Sequence, residues 1–183
     1  MSDPPDPSAA PAAPGAVERL VRAIDTLSTA AGWLGGWLIV PMTLAVAYEV
    51  AARYVFNAPT VWAYDVTYML YGAQFMLVAA YTLLKGGHIR TDVFYEHWSP
   101  RTRAIVDGVS YVLFFFPGLV FVLYASGVEA WHAWEIGERS DWTPWRPIIY
   151  PLKAVITLSV LLLLLQGVAE LIRCWRVIRG VAR

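Results

Sequence analysis

Cysteine is almost absent from this chain. Cys174 stands alone among 183 residues, so there is no internal disulfide and no cysteine-based metal cluster. Histidine is nearly as scarce, at positions 88, 97 and 132. The two glycine doublets, Gly35-Gly36 and Gly86-Gly87, lack the lysine and the serine or threonine of a phosphate-binding loop. Nothing here argues for an ATPase, and no nucleophile–base pair argues for an enzyme. Charge is thin and balanced: fourteen basic and fourteen acidic residues, 15% of the chain. That balance gives no reason to expect a nucleic-acid partner. The first fifteen residues hold five prolines and no basic residue. They have neither the positive start nor the apolar core of a signal peptide, and residues 1–16 read as a disordered cytoplasmic tail.

What the chain does have is long runs without charge. They are Thr26–Tyr48, Val66–Leu84, Gly108–Val128 and Ala154–Ala169, of 23, 19, 21 and 16 residues. About 20 apolar residues of helix cross a bilayer. The fourth run is short, but residues 147–152, ahead of Lys153, add an uncharged apolar lead-in. The sequence therefore predicts an all-α membrane protein with four transmembrane helices over residues 17–175. A short interfacial helix is expected in the inner loop, carrying Val93, Phe94 and Trp98, and residues 176–183 read as a basic tail. With both termini inside, ten basic residues are cytoplasmic and four are not, which is the orientation that the positive-inside rule favours.

Local signals place the breaks. Pro41 lacks an N–H and should kink the first span. Asn57-Ala58-Pro59-Thr60 reads as a turn. The second helix is expected from about Trp62 to Leu84, with Tyr64, Tyr68, Tyr71 and Phe75 on one face, Thr67 and Gln74 on another, and Gly86-Gly87 as its stop. Ser99-Pro100 reads as an N-cap and first helical residue. The helix that follows should reach about Trp134, with a kink at Pro117. Trp131, Trp134, Trp142 and Trp145 form an aromatic belt at the outer side. Gly32 and Gly36 make a GxxxG pair that fits either internal packing or a subunit contact.

The charges near the membrane are the candidate site residues. Glu49 and Arg53 share a helix face at the outer end of span 1, and Asp65 opens span 2 across a short turn, so the three are placed to meet. They read as an ion-pair lock at a helix corner or as a seat for a partner protein. His88, Arg90 and Asp92 form a polar cluster inside the inner surface, where Asp92 is placed to cap the next short helix and Arg90 to reach lipid phosphate or another subunit. Glu129 and His132 have the E-x-x-H spacing of di-iron bundles, but one copy without further carboxylates is not such a site.

Several of these stretches, taken in order, carry a resemblance. Span 1 ends in Tyr-Glu-Val-Ala-Ala-Arg-Tyr-Val-Phe-Asn-Ala-Pro (Tyr48–Pro59). Trp62 then opens span 2 with Asp65 soon after. Span 2 runs into Lys-Gly-Gly-His-Ile-Arg-Thr-Asp-Val (Lys85–Val93). Glu138-Arg139-Ser140, Gln166-Gly167 and Glu170-Leu171 follow. From about Leu27 to Arg173 the chain resembles the small membrane subunit of tripartite ATP-independent periplasmic (TRAP) transporters. His88-x-Arg90-x-Asp92 is the most specific part. The chain departs from the usual pattern in having Tyr64 before a lone Asp65, where many members carry two acidic residues.

The resemblance implies a bacterial inner-membrane protein without cofactor or catalytic residues of its own. A periplasmic binding protein would capture the substrate, usually an organic acid, and a large permease subunit would move it with sodium. The small subunit would embrace the large one and widen its scaffold. Glu49, Arg53, Trp62, Asp65, His88, Arg90 and Asp92 become interface or structural residues. Two other classes stay open on the residues alone. A haem-bearing membrane anchor would want histidines on apolar faces within the spans, and all three lie at edges. A small autonomous exporter would want an acid inside the membrane, and Glu49 lies at a helix end.

Overall fold

The computed structural model describes residues 15–87 and 98–180. Helices make up most of it: α1 (Ala16–Trp37), α2 (Ile39–Tyr54), α3 (Ala63–Leu84), α4 (Pro100–Ser110), a π-helical segment (Tyr111–Phe115), α5 (Phe116–Glu135) and α6 (Tyr150–Ile178). Runs α1–α2, α3, α4–α5 and α6 are each long and apolar enough to cross a membrane. Outside the helices, an isolated bridge pairs Arg139 with Ile148.

Proline chemistry explains both internal irregularities. Pro41 cannot donate to the carbonyl of Trp37, and the first span breaks there, at Leu38 between α1 and α2. The Leu38 N–H is shared between the carbonyls of Leu34 (3.3 Å) and Gly35 (3.2 Å). In the third span the widened π segment lies directly before Pro117, which cannot bond the carbonyl of Leu113. The irregularity is thus a π turn just ahead of the proline.

The caps follow the sequence signals. The Ser99 side chain accepts from the Thr102 N–H at 3.2 Å, with Pro100 in the first turn. At the end of α3 the Gly86 N–H reaches the Leu83 carbonyl (3.0 Å) and the Gly87 N–H reaches Thr82 (2.9 Å). Gly86 has φ +66°, a left-handed conformation that a side chain would oppose. Asn57, at φ 50°, turns the chain after α2.

Helix α6 is the hub, packing against α1, α3, α4 and α5. Its buried residues include Leu152, Ser159, Val160, Leu164, Gln166, Gly167 and Ala169. On α1 the buried stripe is Val21, Ile24, Ser28, Ala31 and Gly35, alternating steps of three and four. Close approach depends on missing side chains: a Cβ on Gly32 would meet the root of Tyr81, and one on Gly167 would meet the Phe115 ring. The α4–α5 span is peripheral, with only Ala104 and Ala133 buried along it. Large apolar side chains such as Trp33, Leu44, Phe114 and Phe121 stay exposed, as they would against lipid or another subunit. Tyr64, Tyr68, Tyr71 and Phe75 likewise face outward from α3.

Candidate functional site

The polar side chains sort into three groups. The first is the corner between α2 and α3. Arg53 Nε donates to Glu49 Oε1 at 2.8 Å, and its Nη2 reaches the same oxygen. The other carboxylate oxygen accepts from the Thr60 N–H (3.0 Å) and the Thr60 hydroxyl. One carboxylate therefore holds both its own helix and the turn that leads to the next. Tyr48 stacks on Trp62 with ring centroids 5.6 Å apart, and Trp62 is the N-cap residue of α3. Glu49 and Arg53 share a helix face as expected, and Thr60, the last residue of the expected turn, closes the corner.

Asp65 does not join it. Its side chain is turned into the protein, 1% exposed, where Oδ1 accepts from the Ser140 hydroxyl (2.8 Å) and Oδ2 from the Thr143 hydroxyl. The expected meeting of Glu49, Arg53 and Asp65 is thus corrected to two separate sites. The reason is helical phase: Asp65 shares the buried face of α3 with Ala80 and Leu83, while the second oxygen of Glu49 is already taken by Thr60.

The second group secures the loop that Asp65 anchors, residues 136–149, between α5 and α6. The Ser140 N–H bonds the Pro147 carbonyl (2.8 Å) and the Ile149 N–H bonds that of Glu138 (3.0 Å). Arg139 Nη1 caps the Arg146 carbonyl at 3.2 Å, and Arg146 pairs with Asp141. Lys153 of α6 binds Glu129 of α5 at 2.7 Å and also Glu138. Glu129 is therefore half of an ion pair, and no cluster able to hold a metal occurs among the described residues. Trp131, Trp134, Trp142 and Trp145 surround this end, well exposed.

The Asp65 contacts predict a measurable result. Asp65→Ala leaves two hydroxyls without their charged acceptor, each such bond contributing about 1.5–3 kcal/mol. The loop should loosen, and trypsin should cut after Arg139 several-fold faster than in the wild type. Asp65→Asn, which keeps one acceptor oxygen, should fall between. Equal cutting rates in all three would show that the loop is held by its own backbone bonds.

The third group joins α1 to α6 and is absent from the candidate residues read off the sequence. Gln166 is fully buried. Its Oε1 accepts from the buried Ser28 hydroxyl at 2.7 Å, and its Nε2 lies 3.2 Å from Asp25 Oδ1 and 3.3 Å from Glu170 Oε1. Arg173 then bridges the two carboxylates, with Nη2 2.5 Å from Asp25 Oδ2 and Nη1 on Glu170. The usable signal was a glutamine inside an apolar run, flanked one and two turns later by an acid and a base, opposite an acid at the start of span 1. On α3, the buried Gln74 Oε1 has no hydrogen-bond partner among the described residues.

His88, Arg90 and Asp92 lie outside the described residues, as does most of the expected interfacial helix. Trp98 is described but sits before the Ser99 cap in no helix; its carbonyl accepts from Arg103 Nε at 3.0 Å.

Residues 42–177 match the family described as tripartite ATP-independent periplasmic transporters, DctQ component. The chain belongs to this family. It is the small membrane component of a TRAP transporter, a multi-pass membrane protein of a family of transporter parts. The match runs from the α2 side of the Pro41 break to the last turn of α6, so it takes in the corner, the α5–α6 loop and most of the α1–α6 polar group, but not Asp25 and Ser28. No curated protein and no solved structure gives a significant match.

Proposed function

We propose that this DctQ component is a scaffold: it holds and orients a large permease subunit that moves an organic acid with sodium, after delivery by a periplasmic binding protein. It carries out no transport chemistry of its own. The observation that supports this reading is where its membrane-level polar groups are spent. Ser28, Asp25, Gln166, Glu170 and Arg173 tie α1 to α6, and Lys153, Glu129 and Glu138 tie α5 and the outer loop to α6. A transport site needs groups that bind and release a ligand, whereas these satisfy one another. The broad exposed apolar surface suits a partner subunit as well as lipid. The α2–α3 corner of Glu49, Arg53 and Trp62 belongs to the same reading as a rigid seat near the binding protein. His88, Arg90 and Asp92 are assigned to the inner loop's contacts with the permease or lipid phosphate.

The proposed setting is the bacterial inner membrane with both termini cytoplasmic. Cysteine labelling at positions 10, 58, 95, 141 and 180 tests this in the same preparation that tests function. Positions 58 and 141, the latter an exposed side chain, should react from outside. In proteoliposomes the chain alone should give no substrate flux, while the chain with the permease and binding protein should give sodium-dependent uptake. Sodium-driven uptake by the isolated chain would end the scaffold reading.

A further inference from the structure

A groove of about 660 Å3 runs between α4 with its π segment and the last turns of α6. Ile105, Val109 and Val112 line one wall; Leu171, Trp175 and Ile178 line the other. The helices run antiparallel. A Cβ on Gly127 would touch Thr157, one on Gly167 would touch Phe115, and one on Gly108 would stand 3.9 Å from Leu171. The groove therefore starts beside the Gly108–Leu171 approach and opens toward the start of α4 and the end of α6.

That open end is basic. The Arg179 guanidinium lies over the Trp175 ring, 3.6 Å from its centroid. Arg101 lies one helical turn before Ile105, on the groove-lining face of α4, and is exposed. Neither arginine has an ion pair to a carboxylate among the described residues. Arg173 on α6, six residues before Arg179, is already engaged by Asp25 and Glu170.

We propose that this groove binds one anionic phospholipid, an acyl chain lying along Ile105, Val112 and Trp175 and the phosphate held between Arg101 and Arg179. Charge complementarity selects this occupant. Apolar walls that end in two guanidiniums match a chain joined to an anionic headgroup, and basic pockets between transmembrane helices bind such headgroups. The planar guanidinium forks bond phosphate oxygens in pairs. An apolar helix of another protein would cover the walls and leave both cations against apolar surface. The site is separate from the scaffold reading and holds whichever side of the membrane it faces.

Native mass spectrometry of the detergent-purified full chain tests the proposal, with phosphatidylglycerol titrated against phosphatidylcholine of the same acyl chains. Phosphatidylglycerol should bind roughly tenfold tighter. The Arg101→Gln, Arg179→Gln double variant should lose about that factor for phosphatidylglycerol alone. Val112→Trp, which fills the groove, should weaken both lipids. Melting temperatures without added lipid identify any variant that fails to fold, and Arg101→Lys with Arg179→Lys should then keep most of the preference. Equal binding of the two lipids by the wild type, or undiminished phosphatidylglycerol binding by the double glutamine variant, would overturn it. So would a photo-crosslinker at Ile105 that captures protein rather than lipid in native membranes.

Discussion

Arg173→Ala is expected to lower the melting temperature of the purified protein substantially. Arg173 bridges Asp25 on α1 and Glu170 on α6, beside the buried Gln166. Without it two carboxylates remain together, with one amide N–H2 between them. Removing one partner of a buried ion pair costs roughly 3–5 kcal/mol. The Arg173 side chain is 30% exposed, so solvent screening lowers this to about 2–3 kcal/mol. Most of the loss comes from the charges left behind, which makes a sharper test available. Asp25→Asn, Glu170→Gln and Arg173→Met combined remove all three charges and should recover more than half of the lost stability. Arg173→Lys, a point charge without the two-armed fork, should be intermediate. Thermal unfolding in detergent, followed by tryptophan fluorescence, measures all of these. A wild-type melting curve for Arg173→Ala would show that this group is solvated surface.

Gly32→Ala is expected to be comparably damaging, and Gly36→Ala harmless to the fold. A Cβ on Gly32 would stand 2.5 Å from Tyr81 Cγ and 2.6 Å from Tyr81 Cβ. Cβ is fixed to the backbone, so no rotamer change of Tyr81 can relieve that contact, and α1 and α3 must separate. Overpacking of this kind costs about 1–3 kcal/mol. A Cβ on Gly36 meets nothing within 4 Å, and alanine favours helix over glycine by about 1 kcal/mol. The GxxxG pair is therefore divided: Gly32 serves internal packing, together with Gly35 against Val78 and Leu77, while Gly36 faces outward. The same two variants report on assembly. If Gly36 seats the permease subunit, Gly36→Ala will melt like the wild type yet co-purify less permease. Equal melting of Gly32→Ala and the wild type would disprove the close packing of α1 on α3.

The four spans were legible because a bilayer imposes a length and an absence of charge that any reader of the sequence can count. The stops were legible for an equally local reason. Ser99-Pro100 and Gly86-Gly87 act through their own backbone bonds, and Pro41 and Pro117 act through a missing N–H. Glu49 with Arg53 is an i,i+4 pair on one helix, so its geometry was fixed before any tertiary contact.

What the sequence could not decide was which polar groups meet across helices. Asp65 and Glu49 are close along the chain, yet Asp65 points toward Ser140 and Thr143, 75 and 78 residues away. Asp25 and Arg173 read as charges flanking separate spans, and only the packing of α1 on α6 makes them a pair. Likewise Gly32 and Gly36 are identical in sequence terms, and only the placement of α1 against α3 separates the one that meets Tyr81 from the one that faces open space. Local chemistry along the chain determined the helices, their ends and their number. Rotation and register between helices, set by where side chains are absent and where carboxylates find donors, decided the sites.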